Sequence, residues 1–171
     1  KNLSDNAQAS GTLRLVVDND WSSAQNWDAK MQKGLSLLNQ AQRNDVPVIL
    51  ATTAPEGEDG KPLLKDPMPA SQAETILRGL TPKPWFADYE ALTTMIVAQD
   101  LSDISDLRTV WLSDGLKKGG FEALAEALLE NSTLSYFRSE DFDLPYGLRE
   151  NPEFNTKPSI QLIKPKTDVF P

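Results

Sequence analysis

Two short runs rich in β-branched residues, 13–17 (LRLVV) and 46–53 (VPVILATT), flank a stretch in which Trp27, Met31, Leu35, Leu38 and Ala41 recur at helical spacing. That period predicts an amphipathic helix over residues 25–43, and Asn44 with Asp45 supplies its stop. Strand, helix and strand within about forty residues form a βαβ unit, with parallel strands and a right-handed crossover. Parallel strands are normally covered on both faces, so the pattern predicts an α/β fold in three layers: a mostly parallel, doubly wound, Rossmann-like sheet with helices on both faces. The first run, a strand over 12–18, ends in Asp18, Asn19 and Asp20, with Ser22 and Ser23 close behind. It therefore delivers polar side chains to the carboxyl edge of the sheet, where ligands bind in open α/β folds.

The remaining elements follow in order. Residues 55–70 carry Pro and Gly at close intervals and read as a surface loop or degenerate hairpin, with only 61–65 offering a weak edge strand. Ser71 followed by Glu74 has the signature of a capping box for a short helix that ends near Gly79. A rigid linker, 81–84, precedes a helix over 88–99 for which Asp88 is placed as cap. The run 107–112 (LRTVWL) is a strand that, like the first, ends in polar residues: Ser113, Asp114 and Gly115. Phe121, Leu124, Ala125, Leu128 and Leu129 mark the next helix, and a strand over 133–138 follows. Residues 139–158 read as irregular, with 139–143 a solvated acidic loop. The alternation at 159–163 suits a last strand that completes this sheet or opens another domain. This divides the chain into a polar, disordered lead-in (1–10), one domain (11–150) and an extended tail or the start of a further domain (151–171). The start at Lys1 and the proline-rich end suggest a piece of a longer protein.

Composition narrows the chemistry. A formal net charge of −8, from 17 basic and 25 acidic residues, weighs against nucleic acid or anionic lipid as the main partner. Cations and basic protein surfaces suit it better. The chain has neither Cys nor His, which removes thiol nucleophiles, zinc clusters, Ser-His-Asp triads and haem ligation. Any metal site must be built from oxygen, and no run is long and apolar enough for a membrane helix.

A doubly wound sheet brings Asp18, Asp20 and Ser22 to the same edge as Asp114. Three carboxylates repel one another unless a cation sits among them, and Mg²⁺, which prefers oxygen ligands, meets that need. The order of elements, with D-x-D-x-S after the first strand and S-D-G after LRTVWL, resembles a von Willebrand factor type A (vWA) domain. That family's metal-ion-dependent adhesion site uses D-x-S-x-S, a middle-loop Thr and a distal Asp. By this resemblance Asp18, Ser22 and Asp114 match, Asp20 stands where a Ser is usual, and Asp88 is the substitute for the Thr that the loop KPWFAD lacks. The resemblance covers about residues 11–140 and implies a protein-binding module carrying Mg²⁺, or a degenerate site that has lost its ion. LVVDxxW, PWxAD and VWLSDG are most similar to the A-type domains of bacterial membrane proteins related to the Bacteroides aerotolerance proteins. This implies a periplasmic domain, membrane-anchored through other segments, with a protein as partner. It fixes no oligomeric state.

Blander readings stand beside these. Asp20 and Ser22 serve equally as helix N-caps, and Asp114 before Gly115 as turn chemistry. Trp21 and Trp85 suit an exposed recognition surface, whereas Trp111, on a strand, suits the core. Lys117 and Lys118 are assigned no specific task. A scaffold domain without metal is one alternative. A Mg²⁺-dependent phosphatase of the haloacid dehalogenase type is another, with Asp18 as nucleophile, Asp20 as acid and base, Thr52 or Thr53 on the phosphate and Asp114 on the ion. Against it, the first helix starts too soon for the flap of those enzymes, no Lys is placed before the last motif, and that motif has one acid where two are usual.

Overall fold

The computed structural model describes residues 11–138 and the backbone of 147–150 and 160–163. The expected lead-in and the acidic segment 139–143 lie outside these residues. β1 (Thr12–Val17) is the centre of a five-stranded sheet of order β3-β2-β1-β4-β5, in which β2 (Val48–Pro55), β4 (Leu107–Leu112) and β5 (Ser132–Phe137) run parallel to it. β3 (Pro62–Leu64), at the weak edge run, is antiparallel to β2. All six residues of β1 are buried, as a parallel strand covered on both faces requires.

Side chains alternate between two cores. Leu13, Leu15 and Val17 of β1, with Leu50 of β2 and Leu112 of β4, pack under α1 (Trp27–Arg43) and α2 (Ala70–Gly79). The opposite face is aromatic. Trp111 of β4 meets Tyr89 of α3 (Tyr89–Ala98) edge-on at 5.7 Å and stacks on Phe121 of α4 (Phe121–Leu129) at 5.0 Å. The three-layer, doubly wound architecture expected from the sequence is the one observed. Among the described residues, no helix is long and apolar enough to cross a membrane.

Local differences have physical reasons. The expected helix over 25–43 is preceded by a 3₁₀ turn, Trp21–Asn26, so α1 itself starts at Trp27. Its inward stripe is Lys30, Gly34, Leu37, Leu38 and Ala41, while Trp27, Met31 and Leu35 sit at the margin of the core. Gly34 lies where a side-chain carbon would approach the Leu77 Cδ2 methyl to 2.9 Å, so a larger residue there would displace the Leu77 side chain at the contact of α1 with α2. No capping box forms at Ser71. α2 begins one residue earlier, behind Pro69, and Glu74 instead pairs with Arg78 at 2.7 Å. Central Arg14 is buried too, donating to Thr109 Oγ1 (3.0 Å) and the Leu128 carbonyl (2.9 Å); desolvation pulls its pKa down to about 10.

Contacts divide the chain into Lys1–Ser139 and Glu140–Pro171. The second unit contains β6 (Gly147–Glu150), inside a segment expected to be irregular, paired antiparallel with β7 (Ile160–Ile163). The run at 159–163 therefore does not join the main sheet.

Candidate functional site

The parallel register of β1 and β4 pairs Val17 with Leu112, so the turns after these two strands leave the sheet side by side. Asp18, Asp20, Ser22 and Asp114 are brought together there, all of them buried. Asp18 is held from three sides: Oδ1 accepts from Trp111 Nε1 (2.9 Å) and from the Tyr89 hydroxyl (3.5 Å), and Oδ2 from the Asp114 backbone N–H (2.8 Å). Asp114 Oδ1 accepts from the Leu116 N–H at 2.9 Å, which is the turn role foreseen for it. Its Oδ2 meets the Ser22 hydroxyl and the ammonium of Lys118. Asp20 makes no side-chain cap for the 3₁₀ turn. Instead, Oδ1 faces the hydroxyls of Ser22 (2.7 Å) and Ser23 (3.4 Å), and Oδ2 accepts from Lys118 at 2.6 Å.

Two lysines supply the positive charge, and neither was singled out from the sequence. Lys118, in the loop before α4, donates to Asp20, Asp114 and the Ser22 hydroxyl (2.8 Å). Lys30 sits on the inward stripe of α1 and donates to the Asp18 carbonyl (3.0 Å) and Ser23 Oγ (2.8 Å). Its signal was a Lys at helical spacing from Gly34, Leu38 and Ala41. Lys118 follows Asp114 by four residues but lies 98 positions from Asp20, so its link to Asp20 is not visible in the sequence.

The electrostatics follow from burial and neighbours. Desolvation and the nearby charge of Asp114 push the Asp18 carboxyl up, against the pull of Lys30 and Lys118. Burial would raise Asp114 too, but the charge and hydrogen bond of Lys118, with the Ser22 hydroxyl, outweigh it and hold Asp114 below the usual carboxylate range. Burial lowers Lys30, partly offset by the acids around it. For Lys118 the balance is reversed: burial lowers it, and Asp114, Asp18 and Asp20 together raise it above the ordinary ammonium value. Burial and the same three acids lift the Tyr89 phenol well above its ordinary value, so it stays a donor.

Asp88 makes no side-chain bond to this cluster among the described residues. Its side chain caps α3, accepting from the Ala91 N–H at 2.9 Å. Thr52 bridges the Ala54 carbonyl and the Leu63 N–H, while Thr53 Oγ1 is buried without a hydrogen-bond partner among the described residues.

Two solved structures share this arrangement of strands and helices. The VWA domain of SpRpn10 superposes with a TM-score of 0.50 at 8% identity, over 77% of this chain and 90% of that domain. An aerotolerance-related membrane protein from Bacteroides fragilis superposes with a TM-score of 0.56 at 14% identity, over 91% of this chain and 82% of that one. The chain has the von Willebrand factor type A fold. No family profile and no curated protein matches it by sequence.

Within the vWA fold, the residues expected to hold a divalent ion do not fit one as they stand. Each carboxylate oxygen of Asp18, Asp20 and Asp114 already accepts a hydrogen bond from protein. The point where Asp20, Ser22 and Asp114 converge is held by Lys118. Among the described residues no group of three or more acidic side chains is disposed to take a metal.

Above this closed cluster the rim is aromatic. The Trp21 N–H donates to the Trp85 carbonyl (3.3 Å), the Lys83 N–H to the Asn19 carbonyl (2.7 Å), and Trp85 Nε1 to the Pro55 carbonyl (3.1 Å). The first two bonds tie the loop after β1 to the loop before α3, and the third ties that second loop to the end of β2. Trp21 and Phe86 meet edge-on at 6.3 Å, and Trp21, Trp85 and Phe86 are 41%, 47% and 72% exposed. Lys83 pairs with Glu56 beside them at 2.8 Å. Trp111 is fully buried, as expected for a strand residue, while Trp21 and Trp85 are exposed.

Proposed function

We propose that this domain is a non-enzymatic protein-binding module that engages its partner through the aromatic rim at the carboxyl edge of the sheet. The observation that carries this is the rim itself. Three large aromatic side chains stand exposed on loops cross-tied by backbone hydrogen bonds, and aromatic residues on a rigid support are what interface hot spots are made of. The polar cluster beneath supports the loops and offers no free nucleophile, since both oxygens of Asp18 are engaged and buried. Likeness to the aerotolerance-related membrane protein supports a further part of the reading, that the domain belongs to a membrane-associated bacterial protein; its placement in the periplasm is part of the same proposal. Fractionation and protease access in spheroplasts test that placement.

The partner reading is tested by site-specific photo-crosslinking in cells of the source organism. A photoreactive residue replacing Phe86 is expected to give a discrete adduct that disappears with Trp21→Ala. The same residue replacing Val97, 66% exposed near the end of α3, gives none. No adduct at 86, or equal adducts at both positions, overturns the reading in favour of a scaffold domain.

A further inference from the structure

Lys118 Nζ carries three protons, and three acceptors surround it: Asp20 Oδ2, Ser22 Oγ and Asp114 Oδ2. An ammonium has three donors and no acceptor, so the match is complete. These acceptors belong to three of the residues that the vWA resemblance assigns to a divalent ion. We infer that Lys118 is a built-in replacement for that ion, a cation carried by the chain that holds the acid cluster together without metal.

Charge supports the substitution. The D-x-S-x-S pattern with its distal Asp sets two carboxylates against a divalent ion. Here position 20 carries a third carboxylate, and it is this added acid that pairs with Lys118 at 2.6 Å. The departure at Asp20 and the lysine at 118 thus form a matched pair, and Lys30 adds a second positive charge from beneath, so that two ammonium groups face three carboxylates. Hydration points the same way. Mg²⁺ dehydrates reluctantly and keeps several waters, whereas Asp20, Ser22 and Asp114 are buried and the Lys118 side chain is only 19% exposed.

The test is Mn²⁺ binding, read from the loss of the free-ion electron paramagnetic resonance signal. The wild-type chain, stripped with chelator, is compared with Lys118→Met and with the double variant Asp20→Ser/Lys118→Met. The wild type is expected to bind no Mn²⁺ up to about 1 mM. The double variant, which restores the hydroxyl and opens the central position, is expected to bind at least tenfold more tightly than that limit, and Lys118→Met to bind more tightly than wild type. Loss of a merely structural lysine would not create metal affinity. Sub-millimolar binding by the wild type overturns the inference, as does a folded double variant that binds no better than wild type. If neither variant folds, the wild-type titration decides alone, absence of binding supporting the replacement and binding refuting it. The readout involves no partner, so it stands or falls separately from the crosslinking.

Discussion

Trp111→Phe isolates the bond that anchors the cluster to the core. The change keeps an aromatic ring against Phe121 and Tyr89 but removes, among the described residues, the only donor within 3 Å of Asp18 Oδ1, leaving that oxygen with the Tyr89 hydroxyl at 3.5 Å. A hydrogen bond to a charged group contributes about 1.5–3 kcal/mol. The smaller ring loses contacts at a fully buried site, adding about 1 kcal/mol. The expected loss is therefore about 3 kcal/mol, close to a 10 °C fall in Tm for a unit of this size. Urea unfolding followed by far-ultraviolet circular dichroism measures it without relying on the tryptophan signal, and an unchanged m-value confirms that the same unit unfolds. A double-mutant cycle with Asp18→Ala, which removes the acceptor, separates the bond from the packing. A coupling of about 1.5–2.5 kcal/mol is expected, and a coupling below about 0.5 kcal/mol would refute the anchoring role of the indole N–H.

Four further outcomes are expected. Asp88→Ala removes the cap of α3 and costs about 1 kcal/mol, measured by urea unfolding, while the Mn²⁺ titration is unchanged. Thr53→Val deletes a buried hydroxyl that lacks a partner and raises stability by about 1 kcal/mol; a loss instead would show that the hydroxyl is satisfied in solution. Gly11→Ala places a side-chain carbon 2.5 Å from the Asp106 carbonyl at a φ of 132° and costs at least about 2 kcal/mol. Because Asp114 titrates below its unfolded value near 4, its contribution is complete above that pH and is lost as pH falls through the folded value. The stability gap between wild type and Asp114→Asn should thus hold from about pH 5 to 9 and narrow below about pH 4, and a gap that widens in acid reverses the sign.

The parallel strands were legible because buried parallel strands are written as near-continuous apolar runs: LRTVWL is β4 residue for residue, and β1 departs from expectation only at Asp18. The phase of α1 was not, because its inward stripe begins with Lys30 and Gly34, residues that carry no apolar signal, while Trp27 and Met31 at the margin carry a strong one. At the site, four of the five expected residues converge because strand order alone places two strand ends together. Asp88 caps α3, the role that its position ahead of that helix predicts, and among the described residues its side chain makes no bond to the other four. The cation was legible as a need and not as a residue: like charges at a sheet edge demand a counter-charge, but a lysine that supplies it from the loop after Asp114 looks in sequence like any solvated lysine.

A cation attached to the chain has no off-rate of its own. Dilution does not release the Lys118 ammonium, chelators do not strip it, and its local concentration is fixed by the short link from Asp114 through Gly115 to the start of α4. An edge held by an exchangeable ion responds to the supply of that ion; an edge held this way is set when the chain folds, and short of titrating its acids or the ammonium, a movement of the loop before α4 is what unsets it.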